Sequence, residues 1–488
     1  MSFWSSRVFD DDELKRMRST NPVIPLFYGL PKLHKENIPL RPIVSFCGSA
    51  TYKLAKELDK RLKPLTKKSS IMIKNNSDLL DKIQDLEISE DEELVSFDVK
   101  SLFTCIPLIE IMRSVSDAID EDEDFLNNEK LSKRELMELL DLCLNSTFFG
   151  FRSRIYHQKK GTPMGSPISV VVSEIVLQSF EKSLFLLPID HVKFFARYVD
   201  DVISIIKKRM LQDFFDLLNQ KGQFLQFTLE EEQNGSLPFL DILIQRREGK
   251  LSTSVFRKKV CTNRLLDYES YHPSVHKKSV VRTLYNRAKK LCSSEENFRE
   301  EKDVLKSIFK KNNYPPRKFV EWTSERQIEP ESQPSEKFIS APYIKGVSEV
   351  ASRVLKKGKI RLAHKPMNTL RRQLVNIKDK RRKEDCAGVV YSIPCNDCPL
   401  SYVGETGRQL GIRISEHQRD VRLKNNPRSN VLQHVRDTGH SMDFESTKIL
   451  YYEQNSEKRL FLESWATNIN TLNRAKDLNP AYAALKLI

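Results

Sequence analysis

Two adjacent aspartates separate two short apolar segments, and this arrangement constrains the fold more than any other feature of the chain. The segments are KFFARYV and VISIIK, and the acids between them are Asp200 and Asp201. Both segments have the composition of strands, so the sequence predicts a tight hairpin with both carboxylates at its tip. Carboxylates are costly to bury unless a positive partner compensates them. The hairpin therefore indicates a site that holds a cation.

A third carboxylate is predicted on a neighbouring strand. Asp98 lies near the end of LVSFDV (residues 94–99), which is typical of a buried strand. Three carboxylates at adjacent strand ends supply the oxygen ligands that Mg²⁺ prefers. Two such ions about 3.5–4 Å apart support in-line nucleotidyl transfer, by activating a hydroxyl and stabilising a leaving oxygen. The alternative for any one of these acids, taken alone, is a solvated turn residue.

Charge and length set the class of partner. The chain has 488 residues, enough for several domains, and carries 81 basic against 66 acidic side chains, a net charge of +15. This excess favours a polyanion such as nucleic acid, with a merely basic soluble protein as the alternative. No stretch reaches the ~20 apolar residues of a spanning helix, and the acidic start does not resemble a signal peptide. The scattered cysteines indicate a reducing compartment.

Three segments carry a family resemblance. VSFDVKSLF, GTPMGSP and RYVDD follow one another in the order found in the palm of reverse transcriptases, which this region resembles. The resemblance implies that Asp98 and Asp200 bind both magnesium ions, with Asp201 close by. It also implies that Phe103 excludes a ribose 2′-hydroxyl and so favours deoxynucleotides. The alternative role for Phe103 is that of a core aromatic, and both can hold.

Two further segments complete the expected nucleotide site. Gly161, Gly165 and Pro167 are predicted to form a turn entering a helix, where glycine, lacking a Cβ, lets the backbone approach a base pair. The segment PLRPIVS resembles the fingers segment whose arginine contacts the incoming triphosphate, which here is Arg41. The planar fork of an arginine suits a phosphate group. A surface ion pair is the alternative for Arg41.

A second set of reactive side chains lies in the last hundred residues. Tyr391 and Tyr402 close two short apolar runs, and Arg413 and His417 are spaced to share one face of a helix. Glu463 falls in the apolar face of a later predicted helix. A tyrosine or histidine can activate water, Glu463 can hold a divalent cation and Arg413 can neutralise phosphate charge. The set is suited to phosphodiester cleavage.

This region resembles the GIY-YIG nucleases. YVG stands for the second signature and VVY for the first, which departs at two of three positions but keeps its tyrosine. The resemblance implies that Glu463 is the metal ligand and that Asn473 makes a late polar contact. Which residue is the general base stays open.

A zinc site is predicted within the same region. Cys395 and Cys398 form a CxxC pair between the two signatures, and His434 and His440 follow. Two thiolates and two imidazoles satisfy tetrahedral Zn²⁺. The resemblance favours a structural zinc ion here, with Cys386 as a spare ligand. The alternative is a pair of buried free cysteines with surface histidines.

The whole chain resembles one kind of mobile element. FYGLPKLHK, LRPIVS, SLPFLDILI and HPSVHKKSVVRTLYNRA narrow the resemblance to Penelope-like retroelements, which pair a reverse transcriptase with a GIY-YIG nuclease. The implied fold class is α+β and multidomain: a right-hand polymerase, with an antiparallel palm sheet and a helical thumb, plus a small α/β nuclease. The expected division is 1–250 fingers and palm, 251–325 helical thumb, 326–385 polar then basic linker, and 386–488 endonuclease with a zinc site.

The resemblance implies an RNA-directed DNA polymerase joined to a DNA-nicking endonuclease for target-primed reverse transcription. The expected partners are template RNA, primer or target DNA and dNTPs, with no membrane, in the nucleus at chromatin after cytoplasmic synthesis. The basic linker, with KDKRRK, is either a nucleic-acid or nuclear-import segment or a solvated helix. The alternatives are a decayed or domesticated copy that only binds RNA or DNA, and a free-standing nuclease with an inert palm. Because FYGLPKLHK begins at residue 27, a truncated copy or a misassigned start is also expected.

Overall fold

The computed structural model of the chain describes residues 9–19, 21–33, 37–324, 337–365, 381–424 and 429–473. The strands, in chain order, are β1 (Phe27–Pro31), β2 (Leu40–Val44), β3 (Glu92–Val99), β4 (Phe148–Phe151), β5 (Arg154–His157), β6 (Val192–Tyr198), β7 (Asp201–Lys207), β8 (Phe227–Glu231), β9 (Ser236–Phe239), β10 (Ile242–Arg247), β11 (Lys250–Val255), β12 (Lys337–Ala341), β13 (Ile360–His364), β14 (Ala387–Pro394), β15 (Ser401–Gln409) and β16 (Lys448–Tyr452).

The α-helices are α1 (Asp11–Met17), α2 (Tyr52–Leu62), α3 (Asn76–Ile83), α4 (Leu102–Cys105), α5 (Leu108–Asp120), α6 (Glu123–Asn128), α7 (Lys133–Asn145), α8 (Ile168–Phe185), α9 (Leu211–Gly222), α10 (Ser274–Leu291), α11 (Glu295–Lys311), α12 (Pro316–Ser324), α13 (Val347–Lys357), α14 (Leu410–Leu423), α15 (Asn430–Thr438) and α16 (Ser456–Ala466). Within the described ranges, no helix is both long enough and apolar enough to cross a bilayer.

A four-stranded antiparallel sheet, in the order β6–β7–β3–β8, positions the palm carboxylates. Its two inner strands are covered on both faces, which explains why VISII is buried without interruption. Val95 and Phe97 pack with helices α2, α5, α7, α8 and α9 on one face. Leu94 and Ile203 pack with the β9–β10 hairpin on the other. The predicted buried strand at 94–99 is confirmed and lies within β3.

Two other local patterns of the sequence have direct structural counterparts. In KLSKRELMELLDLCLNSTFF the apolar residues recur at helical spacing, and the segment forms α7, which Ser132 caps in a capping box with Glu135. The segment REGK forms the turn between β10 and β11, and its two turn residues, Glu248 and Gly249, both have positive φ. Strand β11 runs on to Val255 and belongs to the β11–β10–β9 sheet, so the domain boundary predicted at residue 250 cuts a strand.

The helical prediction for residues 272–325 is confirmed by α10, α11 and α12. These three helices pack around one apolar cluster rich in aromatic rings. Its buried members are Val281, Ala288, Leu305, Phe309, Tyr314, Phe319 and Trp322. This segment is therefore a small helical unit with its own core.

The segment predicted as a linker is partly folded. Strands β12 and β13 pair in parallel, and α13 connects them, so residues 337–364 form a β-α-β unit. The linker prediction rested on composition, since the segment is rich in basic residues. It missed the two strands because β12 pairs with β13 across the intervening helix α13. The predicted excess of basic residues is present in residues 337–365, where Glu349 is the only acidic side chain. The first half of KDKRRK, residues 378–380, lies outside the described residues.

The last unit is a three-stranded antiparallel sheet, in the order β15–β14–β16, with three helices. Its core includes Val389, Tyr391 and Ile393 from β14 and Leu410 and Ile414 from α14. β14 is buried because it is the central strand and because α14 and α16 both pack near it. This arrangement brings the two strands that carry the tyrosines next to each other.

Candidate functional site

The strand register brings two of the predicted carboxylates face to face. Asp98 in β3 lies directly opposite Asp201 in β7. Side chains at such opposed positions share one face of an antiparallel sheet, with Cβ atoms about 4.5–5.5 Å apart. Asp200 lies in the two-residue turn before β7, and its carbonyl accepts a hydrogen bond from the Val99 N–H at 3.2 Å. The acids therefore meet at one end of the sheet. Asp201 is the first residue of β7 and does not lie in the turn.

The charges around this end are unbalanced toward negative. All three carboxylates are half-buried. Burial raises the pKa of Asp200 above its ordinary value and the charge of Asp98 raises it further, whereas Arg41 and Lys32 lower it without cancelling the rise. A half-buried carboxylate with a raised pKa beside two further carboxylates fits a divalent metal ion. The donor set consists of carboxylate oxygens, as Mg²⁺ requires.

The cations near Asp200 come from the β1–β2 hairpin. Arg41 is exposed in β2 and pairs in register with Leu30, and Lys32 follows the end of β1. Both lower the pKa of Asp200, so both positive charges lie near the carboxylate end of the sheet. Arg41 was predicted at this site. Lys32 was missed, although it stands within FYGLPKLHK, the quoted fingers segment.

The two glycines of GTPMGSP are required by contacts within the protein. A Cβ on Gly161, which has φ +67°, would lie 2.4 Å from the Thr104 Cα. A Cβ on Gly165, which has φ +129°, would lie 2.3 Å from the Val44 carbonyl oxygen. The loop thus packs against α4 on one side and β2 on the other. These protein contacts alone exclude a side chain at both positions, without any bound nucleic acid. The approach of Gly165 to a base pair therefore stays a prediction.

Phe103 is attached to the same loop through its main chain. Its carbonyl accepts hydrogen bonds from the Thr162 N–H at 2.5 Å and from the Thr162 hydroxyl at 3.2 Å. The Phe103 side chain is half-buried, which is compatible with both roles that the sequence suggested. The structure therefore joins the segments that carry Asp98, Phe103 and Gly165.

The last unit assembles a second cluster around a fully buried tyrosine. The hydroxyl of Tyr391 and Nε2 of His417 are 2.8 Å apart and hydrogen bonded. The ring of Tyr402 lies 5.1 Å from that of His417 and 6.2 Å from that of Tyr391. Arg413 and Glu463 act electrostatically on Tyr391. All five residues predicted for this site are thus within reach of one another.

The electrostatics of this cluster follow from its burial. Burial raises the pKa of Tyr391, and the charges of Tyr402 and Glu463 raise it further, while Arg413 opposes them. Burial also lowers the pKa of His417 to about 4, with the positive charge of Arg413 adding to the effect. His417 is therefore neutral near pH 7. Its Nδ1 is buried and has no hydrogen-bond partner among the residues that the structure describes.

Two neighbours refine the second cluster. Glu416, which the sequence did not single out, accepts a hydrogen bond from Arg413 at 2.9 Å and another from Arg408 at 2.9 Å. It orients the guanidinium of Arg413 from the outer side. Asn473 accepts from the Val403 N–H at 2.8 Å and donates to the Val403 carbonyl at 2.5 Å. The amide of Asn473 thus holds the main chain of β15 next to Tyr402.

The four predicted zinc ligands come together. Cys395, Cys398, His434 and His440 each offer a ligand atom, and these atoms all lie within 4.8 Å of one another. The Cys395 Sγ is 3.4 Å from His434 Nε2 and 3.7 Å from His440 Nδ1. Two sulfurs and two imidazole nitrogens at such spacing fit one tetrahedral ion. Cys386 is not in the cluster, because its thiol faces the Tyr452 hydroxyl at 3.8 Å.

The sheet that carries the three carboxylates lies within a segment that matches a known family. Residues 33–232 match the family described as reverse transcriptase (RNA-dependent DNA polymerase), and residues 264–325 match the animal helix-turn-helix domain. Residues 33–232 are therefore similar to a reverse transcriptase domain. The helix-turn-helix match covers the helices α10, α11 and α12, which the sequence assigned to a thumb. No curated protein matches the chain.

Several solved polymerases are similar in fold. The telomerase of Candida albicans, solved with a fragment of telomeric RNA, is 13% identical, with a TM-score of 0.44, and the match covers 61% of this chain and 59% of that one. The telomerase of Candida tropicalis, solved with a similar fragment, is 14% identical over 60% of this chain and 53% of its own, with a TM-score of 0.38. The RNA-dependent RNA polymerase of BmCPV is 12% identical, with a TM-score of 0.39, and covers 58% and 26%. The match thus spans well under two thirds of each of these proteins.

Proposed function

We propose that the chain is an RNA-directed DNA polymerase whose active site is formed by Asp98, Asp200 and Asp201. One observation carries this proposal: the register of β3 against β7 sets Asp98 opposite Asp201, with Asp200 in the adjoining turn. The raised pKa of Asp200 supports it, because burial and the neighbouring charge of Asp98 both disfavour the ionised carboxylate, which a bound cation would stabilise. The three carboxylates would hold two Mg²⁺ ions. When bound, these ions supply activation of the primer 3′-hydroxyl and charge stabilisation of the leaving pyrophosphate.

The surrounding side chains select and orient the nucleotide in this proposal. Arg41 and Lys32 face the carboxylates from the fingers hairpin and would bind the triphosphate oxygens, Arg41 through its planar fork. Phe103 would contact the sugar and disfavour a ribose 2′-hydroxyl. The loop at Gly165, tied to α4 and β2, would support the base pair being formed. Each group acts by positioning, which accounts for much of the rate in such reactions.

A second proposed activity is DNA cleavage by the cluster around Tyr391. The specific support is the convergence of two tyrosines, Arg413, His417 and Glu463, on which the resemblance to GIY-YIG nucleases also rests. Glu463 would hold one divalent cation, and Arg413 would neutralise charge that develops on the phosphate. Neutral His417 would take the proton of the attacking water, either directly or through Tyr391, whose hydroxyl would pass its own proton to Nε2 of His417 as it accepts one from water. Their direct hydrogen bond makes them one proton-transfer unit.

A structural zinc ion is proposed in the Cys/His cluster. Cys395 and Cys398 follow β14, and His434 lies in α15, so the ion would tie the end of the central strand to a helix. A thiolate and imidazole set without an open position is typical of structural zinc. The ion would stabilise the nuclease fold and take no part in chemistry.

The combined proposal is a Penelope-like element that copies its RNA at a nicked chromosomal target. The nuclease would nick DNA, and the released 3′-hydroxyl would prime synthesis on template RNA with dNTPs, at chromatin in the nucleus. The strongly basic composition supports nucleic-acid partners. The first half of KDKRRK, the proposed import segment, falls outside the described residues.

The test separates the two activities in the full chain. Primer extension on an RNA template and nicking of supercoiled DNA are measured with Mg²⁺ for wild type, Asp200→Ala and Glu463→Ala. Asp200→Ala is expected to abolish extension and spare nicking, and Glu463→Ala is expected to do the reverse. Asp241→Asn, an exposed acid near the palm sheet, serves as the control.

The outcomes distinguish the alternatives. Loss of both activities in either folded variant contradicts two independent sites. Folded wild-type protein that binds RNA but extends no primer favours a decayed or domesticated copy. Cleavage without extension favours a nuclease with an inert palm.

A further inference from the structure

Arg197, four residues before Asp201, is the most completely bonded side chain near the proposed polymerase site. It lies in β6, is 1% exposed and points away from the carboxylates, toward α8. Nη1 and Nη2 donate to Glu174 at 2.8 Å each, Nη2 also donates to Glu181 at 3.2 Å, and Nε donates to Glu181 as well. Nη1 has a further bond, to the carbonyl of Val199 at 2.9 Å. The guanidinium thus joins helix α8 to the turn that carries Asp200.

That turn is strained. Val199 has φ +58°, in the left-handed region that a β-branched residue rarely adopts. Hairpin positions with positive φ are ordinarily filled by glycine, asparagine or aspartate. A residue held in such a conformation is strained, so the surrounding structure must impose it. The contact from Arg197 to the Val199 carbonyl is one such restraint.

The main chain of Arg197 is fixed as firmly as its side chain. Its N–H donates to the Ile71 carbonyl at 3.0 Å, and its own carbonyl accepts from the Ile73 N–H at 2.7 Å. It also pairs in register with Val202 of β7. Because the start of the hairpin is held on both sides, any movement of Asp200 must come from rotation within the turn. A restraint at the Val199 carbonyl acts where that rotation would occur.

We propose that Arg197 is a positioning residue for Asp200: it restrains the strained turn through the Val199 carbonyl, so that the Asp200 carboxylate stays beside Asp98 before metal and nucleotide bind. The proposal rests on the polymerase function proposed above. Two like charges side by side repel, and a turn free to rotate would carry Asp200 away from Asp98. Glu174 and Glu181 hold the guanidinium in place, and its hydrogen bond to the Val199 carbonyl then restrains the turn.

A purely structural ion pair is the competing explanation. In that case Arg197 contributes only to the stability of the packing between β6 and α8. Arg197→Lys separates the two explanations, since an ammonium keeps the charge but cannot span both glutamates and the Val199 carbonyl as a planar fork does. Val199→Asn provides the second half of the test, because asparagine tolerates the left-handed region that valine resists.

The experiment is a double-mutant cycle on primer extension by the full chain. Wild type, Arg197→Lys, Val199→Asn and the double variant are compared for kcat, for the Mg²⁺ concentration at half-maximal rate and for primer–template affinity. Arg197→Lys is expected to lower kcat about 10- to 100-fold, as misplacement of a reacting group does, and to raise the Mg²⁺ requirement with nucleic-acid affinity unchanged. Val199→Asn alone is expected to leave both values near wild type. In the double variant it is expected to restore a large part of the loss.

A matched control measures the effect of lost stability. Arg61 in α2 is also well shielded, with 11% of its side chain exposed, and it pairs with Glu57 and Glu129 rather than with any residue of the β6–β7 turn. Arg61→Lys is expected to lower the free energy of unfolding without changing the Mg²⁺ requirement. If Arg197→Lys does not fold, Glu181→Gln replaces it, because that variant removes the charge that anchors Nε and should show a smaller shift with the same rescue.

Three results would overturn the proposal. One is a loss of stability in Arg197→Lys with an unchanged Mg²⁺ requirement, which identifies a structural ion pair. Another is a raised requirement that Val199→Asn does not reverse, since Arg197 would then act through something other than the turn. The third is an equal shift in Arg61→Lys. Absence of extension by the wild type counts against the polymerase function itself and is seen before any variant is compared.

Discussion

The two candidate sites bring their charged groups together by different physical means. In the palm, the carboxylates lie on neighbouring strands and a turn, so main-chain hydrogen bonds set the spacing of Asp98 and Asp201. In the C-terminal unit, two tyrosines come from strands, Arg413 and His417 from α14 and Glu463 from α16. Their spacing depends on how helices pack against a sheet. The first site is therefore fixed by register and the second by tertiary packing.

The two sites also differ in how far their charges are compensated within the protein. In the palm, burial raises the pKa of Asp200 and the charge of Asp98 adds to the rise, and the nearby cations do not offset it. The C-terminal cluster contains Arg413 and Glu463 in one buried region, so much of its charge is compensated within the protein. We infer that the first site depends most on added metal ions and the second on the integrity of its own core. The predictions below test this contrast.

The largest effect is expected for Asp98→Asn. Loss of one ligand charge should reduce primer extension by at least about 10³-fold, because metal-based charge stabilisation is worth several kcal/mol. Register and packing are kept, since asparagine is isosteric, and nicking should be unchanged. Extension is measured on an RNA template, with Asp241→Asn as the control. Wild-type extension by a folded Asp98→Asn protein would contradict the proposed palm site.

Removal of the zinc site should act only on the second region. Cys395→Ser is expected to destabilise the C-terminal unit by several kcal/mol, because the energy of a structural zinc ion is folding energy. Hydrogen exchange of β14 in the full chain should accelerate and nicking should be lost, while primer extension is kept. Cys261→Ser, an exposed free cysteine, is the control. Unchanged exchange in β14 would show that no ion supports the fold.

Tyr391→Phe tests whether the second cluster is catalytic. The change removes only the hydroxyl that bonds His417 Nε2 and keeps the buried ring. Nicking is expected to fall about 10²-fold, as for loss of a group in general acid–base catalysis, with extension unchanged. Tyr451→Phe, on the more exposed strand β16, is the comparison variant. Equal nicking by both variants would leave Tyr391 with a packing role alone.

The sequence predicted those features that depend on local pattern. The strand around Asp98, the hairpin with Asp200 and Asp201, and helix α7 follow from apolar periodicity and turn chemistry. The CxxC pair and the i, i+4 spacing of Arg413 and His417 are local as well. That these local pieces meet in space came from the order of motifs in a known family, since periodicity does not specify which strands pair.

Features that depend on distant partners were missed. Nothing near Arg197 in the sequence shows that Glu174 and Glu181, one helical face of α8, would bind it. Lys32 was overlooked because its proximity to Asp200 arises only when the β1–β2 hairpin folds over the palm. The β-α-β unit at residues 337–364 was read as linker because its parallel strands pair across an intervening helix. The overall composition of such a segment does not reveal its alternation of strand, helix and strand.

The smallest expected effect concerns His417 and pH. Its folded-state pKa is about 4, below the ordinary value of 6.5, so the unfolded chain binds more protons between these values. The stability that neutral His417 provides is therefore present above about pH 6.5 and is lost as the pH falls toward 4, by about 2 kcal/mol between pH 7 and pH 5. Hydrogen exchange of β14 in the full chain measures this loss, and His417→Gln should abolish that part of the pH dependence while the contribution of His434 remains. An equal pH dependence in wild type and His417→Gln would mean that His417 is not held neutral by burial, and the contrast between a metal-dependent palm and a packing-dependent nuclease would weaken at that point.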